Sequence, residues 1–249
     1  MGLFKKNCCA EPEIDYTNLP VHIALIMDGN RRWARKNCLP YIAGHRAGAS
    51  VLQNMVDFCS ELGIRVLTVY AFSTENWKRS KDEVSELMDL IREYLNNVEE
   101  KVRGKNIRVR FLGNTSTLDE SITTGVKKVE DLTKGNTGLL FNIALNYGGR
   151  TEIADAVRKI CKGISNGELN IDSITEETVA ENLYTPPDVP EPDLLIRTGG
   201  ELRISNFLLW QLAYTELWFT PVYWPDFTKR HLLEALGDYQ RRNRRYGGE

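Results

Sequence analysis

Apolar runs and amphipathic stripes alternate along almost the whole chain, and that alternation leaves few folds open. Strand-like runs fall at 21–27, 65–72, 107–112, 138–144 and 193–196. Between them, Leu52, Met55, Cys59 and Leu62 share one face of a helical segment over 47–62 that stops at Gly63, and Val84, Leu87, Met88, Ile91, Leu95 and Val98 form a longer stripe. Apolar residues at three- and four-residue spacings mark helices packed on one side, whereas short continuous apolar runs suit strands covered on both faces. Further helices are expected over 118–134, 150–165, 203–215 and 228–244. The pattern predicts an α/β protein with a central, mainly parallel sheet flanked by helices. The 249 residues, 42% of them hydrophobic, are enough for one substantial core. The only linker-like stretch is YTPPDVPEP from Tyr184 to Pro192, whose four prolines forbid regular structure. The segment after it holds one obvious strand and two helices, so we read the stretch as a loop inside a single domain. Residues 1–18 then form a flexible polar lead-in and 19–249 the folded domain.

Composition excludes several classes. With 32 basic and 34 acidic residues the net charge is −2, which argues against a protein that coats nucleic acid. The five cysteines (Cys8, Cys9, Cys38, Cys59 and Cys161) are odd in number and, apart from the adjacent pair near the start, lack metal-ligand spacing, which fits a reducing cytosol. No apolar signal core and no window of membrane-spanning length is present. The expectation is a cytoplasmic protein that can still work peripherally on lipid at a membrane surface.

Three residue clusters sit where strands should end. In the first, the run 23–27 stops on Asp28 and is followed by Gly29, Asn30, Arg31, Arg32 and Trp33. Ligands of open α/β sheets bind beyond the carboxyl ends of strands, and arginines there pair with phosphate oxygens. A carboxylate among them makes sense with a bridging divalent cation. An Asp helix cap before a solvated basic turn is the alternative. The second cluster is Ser73, Thr74, Glu75, Asn76, Trp77, Lys78 and Arg79. Ser80 and Glu83 after it have capping-box spacing, which leaves Asn76, Trp77 and Arg79 unexplained. The third runs from Arg197 through Gly199, Gly200, Arg203, Ile204 and Ser205. Glycine amides, a helix N-terminus and arginines would there cradle a diphosphate, although Ser205 could equally be that helix's N-cap. His45 could donate to a phosphate. Glu216 is a second candidate metal carboxylate or a strand-start acid. No Walker-type, dinucleotide-binding or G-x-S-x-G motif occurs.

Taken together, HIALIMDGNRRWA, AGHRAGA, YAFSTENWKRSKDEV, NYGGR, DLLIRTGGELRISNFLLWQLAYTEL and the terminal RRYGG resemble the cis-prenyltransferase family from about residue 20 onward, most like its bacterial undecaprenyl diphosphate synthases. The resemblance implies a cis-prenyltransferase fold rather than a Rossmann fold. It implies condensation of isopentenyl diphosphate onto an allylic diphosphate such as farnesyl or geranyl diphosphate, with new double bonds cis. Mg2+ dependence, a homodimer and a lipid product for the cell wall are implied as well. It assigns Asp28 and Asn76 as catalytic, and Asp28 with Glu216 as metal ligands. Gly29, Asn30, Arg31, Arg32, Trp33 and His45 fall in the allylic diphosphate loop. Ser73, Thr74, Glu75, Trp77 and Arg79 flank Asn76. Arg197, Arg203, Ile204 and Ser205 match the isopentenyl diphosphate cradle, and Arg245, Tyr246 and Gly247 a tail reaching the neighbouring subunit.

The chain departs from that family pattern at Arg31, where a glycine is common, at Tyr41, where many relatives have an arginine, and at Leu202, in place of a histidine. By their position in the family pattern Ala71, Leu87, Leu90, Ile91, Leu139 and Phe141 are candidate walls of a product tunnel, core packing being the default reading of each, and the small Ala71 at the tunnel mouth favours a long chain. Rival readings are a short-chain or irregular cis-prenyl diphosphate synthase, a non-catalytic partner subunit, and a phosphate-ester hydrolase, which would lack an evident nucleophile and base.

Overall fold

The computed structural model describes residues 13–102 and 104–242. The strands expected from the five apolar runs all form: β1 (His22–Ile26), β2 (Val66–Ser73), β3 (Ile107–Leu112), β4 (Leu139–Tyr147) and β5 (Leu194–Arg197). A sixth, β6 (Glu216–Phe219), begins on the acid noted above and completes a sheet of order β3-β4-β2-β1-β5-β6. Every pairing is parallel. The helices are α1 (Asn30–Lys36), α2 (Tyr41–Glu61), α3 (Lys81–Val102), α4 (Glu120–Thr133), α5 (Gly149–Ser165), α6 (Glu176–Glu181) and α7 (Lys229–Arg241). The result is one domain.

Strand side chains alternate between two cores, as the two-residue period of a strand requires. Ile23 and Leu25 join a larger cluster with Met55, Cys59, Leu87, Leu95, Val126 and Leu236 from α2, α3, α4 and α7. Ala24 and Ile26 face the other way, against Tyr147, Leu195, Phe207 and Leu212. Chain order reverses between β1 and β5, so the carboxyl ends of these central strands form the topological switch point where α/β sheets place ligands.

Two expectations fail locally. No helix forms over 203–215; Ser205, Asn206 and Leu208 adopt positive φ, which a right-handed helix cannot contain. The start of α2 lies at Tyr41 rather than at Ala47, which puts His45 inside the helix. The Tyr184 to Pro192 stretch is a loop inside the domain, as expected. It is anchored through His22, which is 1% exposed. His22 Nδ1 lies 2.7 Å from the Pro190 carbonyl, an acceptor only, so Nδ1 carries the proton and Nε2 accepts from Thr68 Oγ1 at 2.7 Å.

Burial outweighs Pro190 and Asp193 and pushes the His22 pKa down to about 4. Between that value and the ordinary value of about 6.5, the unfolded chain binds more protons than the fold, so stability falls as pH drops through this window. His22 alone should cost about 2 kcal/mol at pH 5 relative to neutral pH. Urea unfolding at pH 7.5 and pH 5 should show this loss, with a shallower dependence in His22→Gln. A wild-type midpoint that does not move with pH would contradict it.

Candidate active site

The turn after β1 is built around Gly29, whose φ of 107° is costly for any other residue. A Cβ there would also stand 2.8 Å from the Tyr223 ring. The turn delivers the Asp28 side chain to the switch point while α1 starts at once behind it. Gly48 of α2 lets that start pack closely, since a Cβ at Gly48 would lie 2.3 Å from Asn30 Oδ1. Asn30 donates to the Met27 carbonyl at 3.0 Å.

Asp28 is the centre of a cationic group. Its Oδ1 accepts from the Gly29 amide at 2.6 Å and pairs with Arg32 at 3.0 Å. Oδ2 accepts from Arg197 Nη2 at 2.9 Å, across the β1–β5 pairing that sets Ile26 beside Arg197. Burial raises the Asp28 carboxyl, but the hydrogen bond from Arg197 and the charges of Arg32 and Arg197 outweigh it and hold the pKa below the ordinary carboxylate value. Arg197, 4% exposed, also donates to Ser205 Oγ at 2.8 Å and to the Arg203 carbonyl. Glu201 bridges outward, at 3.5 Å from Arg32 and in a further pair with Arg203. Arg32 stacks over the Tyr223 ring at 5.5 Å.

Asp28, Gly29, Asn30, Arg31, Arg32, His45, Asn76 and Arg79 all line one cavity of about 790 Å³. From this polar head it runs inward past Ala71, Leu87, Leu90 and Ile91 to Tyr94, Phe111, Ile143 and Leu145. Leu139 and Phe141 do not line it; at 2% and 1% exposed they pack in the core, earlier along β4 than Ile143 and Leu145. Burial, then Arg79 and Arg31, push the His45 pKa down to about 4, which keeps the ring neutral near pH 7. Asn76 Oδ1 accepts from the Ser73 amide at 3.0 Å, which leaves the NH2 as the end able to donate to a ligand.

Other expected residues support the head from behind. Trp77 donates to Asn146 Oδ1 at 2.8 Å, Glu75 accepts from Asn206 Nδ2 at 2.8 Å, and Thr74 donates to Glu75 at 3.4 Å. Trp33 is turned to Asp226 at 2.7 Å, and Ile204 packs on the second core. The third cluster differs from its expected form. The Gly199 and Gly200 amides are already bonded to the Val222 and Thr220 carbonyls at 2.8 and 2.9 Å, and no helix follows. Its donors to an anion are therefore the side chains of Arg197, Arg203 and Ser205.

Glu216 is not brought to Asp28. It pairs in register with Leu194, three residues before Arg197, which sets it about 10 Å toward the other end of the sheet. There it pairs with Arg242 at 2.7 Å. Arg245, Tyr246 and Gly247 lie outside the described residues, as do Cys8 and Cys9. Glu83 escaped the sequence reading because its spacing from Ser80 is that of a cap. Its amide does donate to Ser80 Oγ at 3.4 Å, but its carboxylate turns to Arg79 at 2.8 Å and Arg31 at 3.4 Å.

Among the described residues no group of three or more metal-ligating side chains occurs. The ionised Asp28, a hard oxygen donor among arginines of the kind that pair with phosphate oxygens, does fit Mg2+, which is commonly held by one or two carboxylates together with substrate phosphate oxygens.

The family model described as "Putative undecaprenyl diphosphate synthase" matches residues 26–247. An isoprenyl transferase of Geobacillus kaustophilus is 52% identical over 230 residues, covering 92% of this chain and 89% of the relative. One from Heliobacterium mobile is 50% identical over 236 residues, covering 95% and 90%. Among solved structures, lavandulyl diphosphate synthase from Lavandula x intermedia, in complex with dimethylallyl diphosphate, superposes with a TM-score of 0.89 at 40% identity, covering 92% of this chain and 99% of that one. A "probable undecaprenyl diphosphate synthase" from Campylobacter jejuni gives 0.76 at 33% identity, covering 93% and 100%.

Proposed function

This chain belongs to the undecaprenyl diphosphate synthase family of isoprenyl transferases, and from that premise we propose that it condenses isopentenyl diphosphate onto an allylic diphosphate, farnesyl or geranyl, with cis double bonds. The observation that carries this reading is that one cavity has both a cationic head at the switch point and an apolar interior. A diphosphate fits the head and a growing hydrocarbon the interior.

The residues divide the work by charge and position. Gly29, Asn30, Arg31, Arg32 and His45 surround the allylic diphosphate, and the neutral His45 donates one N–H to it. Arg197, Arg203 and Ser205 hold the isopentenyl diphosphate on the other side of Asp28. As the allylic carbon–oxygen bond breaks, negative charge grows on the leaving diphosphate, and the arginines placed around it stabilise that charge. The isopentenyl double bond attacks the allylic carbon. Asn76, an amide and a poor base, orients the departing proton toward a diphosphate oxygen or water. Mg2+, when bound at Asp28 with the substrates, supplies charge neutralisation of the diphosphates.

Two features support a homodimer. The β3 edge is capped from α4, where Thr133 accepts from the Val109 amide at 3.0 Å and Glu130 from Phe111 at 2.9 Å. Around the β6 end of the sheet, Leu202, Tyr214 and Leu217 are exposed, at 78%, 70% and 37%. Within one chain Glu216 stays remote from Asp28, so any part it takes in a metal site there comes from a second copy. No helix among the described residues is long and apolar enough to cross a membrane. We place the enzyme in the cytoplasm, passing its lipid product to a membrane.

The depth of the cavity, which passes Ala71 and reaches Phe111 and Ile143, favours a long product of the undecaprenyl type, a cell-wall lipid carrier. A short or irregular product is the second reading, favoured by the likeness to the lavandulyl diphosphate synthase. Radiolabelled isopentenyl diphosphate, Mg2+ and geranyl or farnesyl diphosphate should give products well beyond four isoprene units. Absence of any product would point instead to a non-catalytic partner subunit. Ala71→Leu should shorten the product distribution, because a branched side chain would narrow the cavity wall; an unchanged distribution would remove Ala71 from that wall.

A further inference from the structure

Glu83 is the least expected group beside the cavity head: it is not itself part of the lining, but both of its ion-pair partners, Arg31 and Arg79, are. Its side chain is only 5% exposed, yet it is a carboxylate at the edge of a proposed anion site. Two guanidinium groups share it, and they do so unequally. Arg79, 28% exposed and one helical turn away in sequence, holds one oxygen at 2.8 Å, while Arg31, 57% exposed, reaches the other at 3.4 Å. His45 lies beside both arginines and is kept neutral, with its Nε2 buried and unpartnered among the described residues, and Tyr41 bonds to Glu86 of α3.

The two pairs differ in what their rupture would cost. Releasing Arg31 breaks a long, exposed ion pair, which contributes little to stability. Releasing Arg79 as well would strand a buried carboxylate without a counter-ion, which is strongly unfavourable. A diphosphate entering the head is a multiply charged acceptor and competes well for a guanidinium that has only half a carboxylate. We propose that Arg31 determines primer affinity in this chain by exchange: Glu83 holds it in the free enzyme, it passes to the allylic diphosphate on binding, and Arg79 stays behind. Glu83 is a positioning residue in this scheme, setting the cost of recruiting Arg31. The inference rests on the proposed allylic diphosphate site.

Steady-state kinetics of the full-length protein, with each substrate varied at saturation of the other, test it. In R31A the KM for farnesyl diphosphate should rise about tenfold while the KM for isopentenyl diphosphate changes less than about twofold. R31K should recover part of the loss. The E83Q change should lower the farnesyl diphosphate KM when Arg31 is present and fail to lower it in R31A/E83Q, because only a releasable Arg31 profits from the missing charge. Arg31 is exposed, so its variants should fold normally. Equal changes in both KM values, no change in either, or the same E83Q effect in both backgrounds would overturn the exchange. A wild-type protein that makes no prenyl product would instead remove the isoprenyl-transfer reading on which the inference rests.

Discussion

Asp28→Ala is expected to lower isoprenyl transfer by at least about a thousandfold while leaving a folded protein. The carboxylate receives Arg197, Arg32 and the Gly29 amide at 2.9, 3.0 and 2.6 Å, and thus holds both arginine groups in place for the proposed diphosphates. It is also a hard anionic oxygen donor placed to share a cation with them. Removing it costs stability, because Arg197 is 4% exposed and loses its counter-ion. That loss should be about 1–3 kcal/mol, less than for a fully buried pair, because Arg197 keeps Ser205 Oγ and the Arg203 carbonyl and the Asp28 side chain is itself 29% exposed. For a domain of this size the melting temperature should fall by roughly 5 °C. Product formation and a thermal melt measure the two effects separately; near-normal product formation would remove Asp28 from the chemistry.

Arg197→Met should be nearly as inactive, by about a hundredfold or more, with a smaller change in stability. An unbranched apolar side chain fills much of the buried volume and removes the charge from the interior, while Asp28 keeps Arg32 and the Gly29 amide. Because the surviving Asp28 carboxylate is 29% exposed and still has these partners, the melting temperature should stay within about 3 °C of wild type. The kinetic loss should appear chiefly against isopentenyl diphosphate, since Arg197, Arg203 and Ser205 form that side of the proposed site. Full activity in Arg197→Met, or a loss confined to the allylic substrate, would show that the two diphosphate sites have been exchanged or misplaced.

The site was legible in part because strand ends are local features. The run 23–27 could only stop where Asp28 and Gly29 stand, and Ser73 and Arg197 likewise close their own strands. Elements with weak local signals were missed or misread. β6 is four residues long and only partly buried, so it shows neither a long apolar run nor clean alternation. The apolar 203–215 segment carries helical spacing, but its turn geometry with positive φ at three residues serves to wrap Arg203 and Ser205 around Arg197. Glu83 had the spacing of a cap, and nothing along α3 signals that two arginines from outside the helix converge on its carboxylate.

Periodicity and strand termination depend on neighbours a few residues away, and those alone determined the α/β class, the five main strands and the three clusters at their ends. Tertiary structure decided which clusters meet. Parallel pairing of β1 with β5 sets Ile26 beside Arg197, and so carries Arg197 to Asp28 across 169 positions of chain. The same register keeps Glu216 at the far end of β6, away from Asp28. Sheet order and register arise from packing two cores on opposite faces at once, a condition on the whole domain that no local stretch of residues can express.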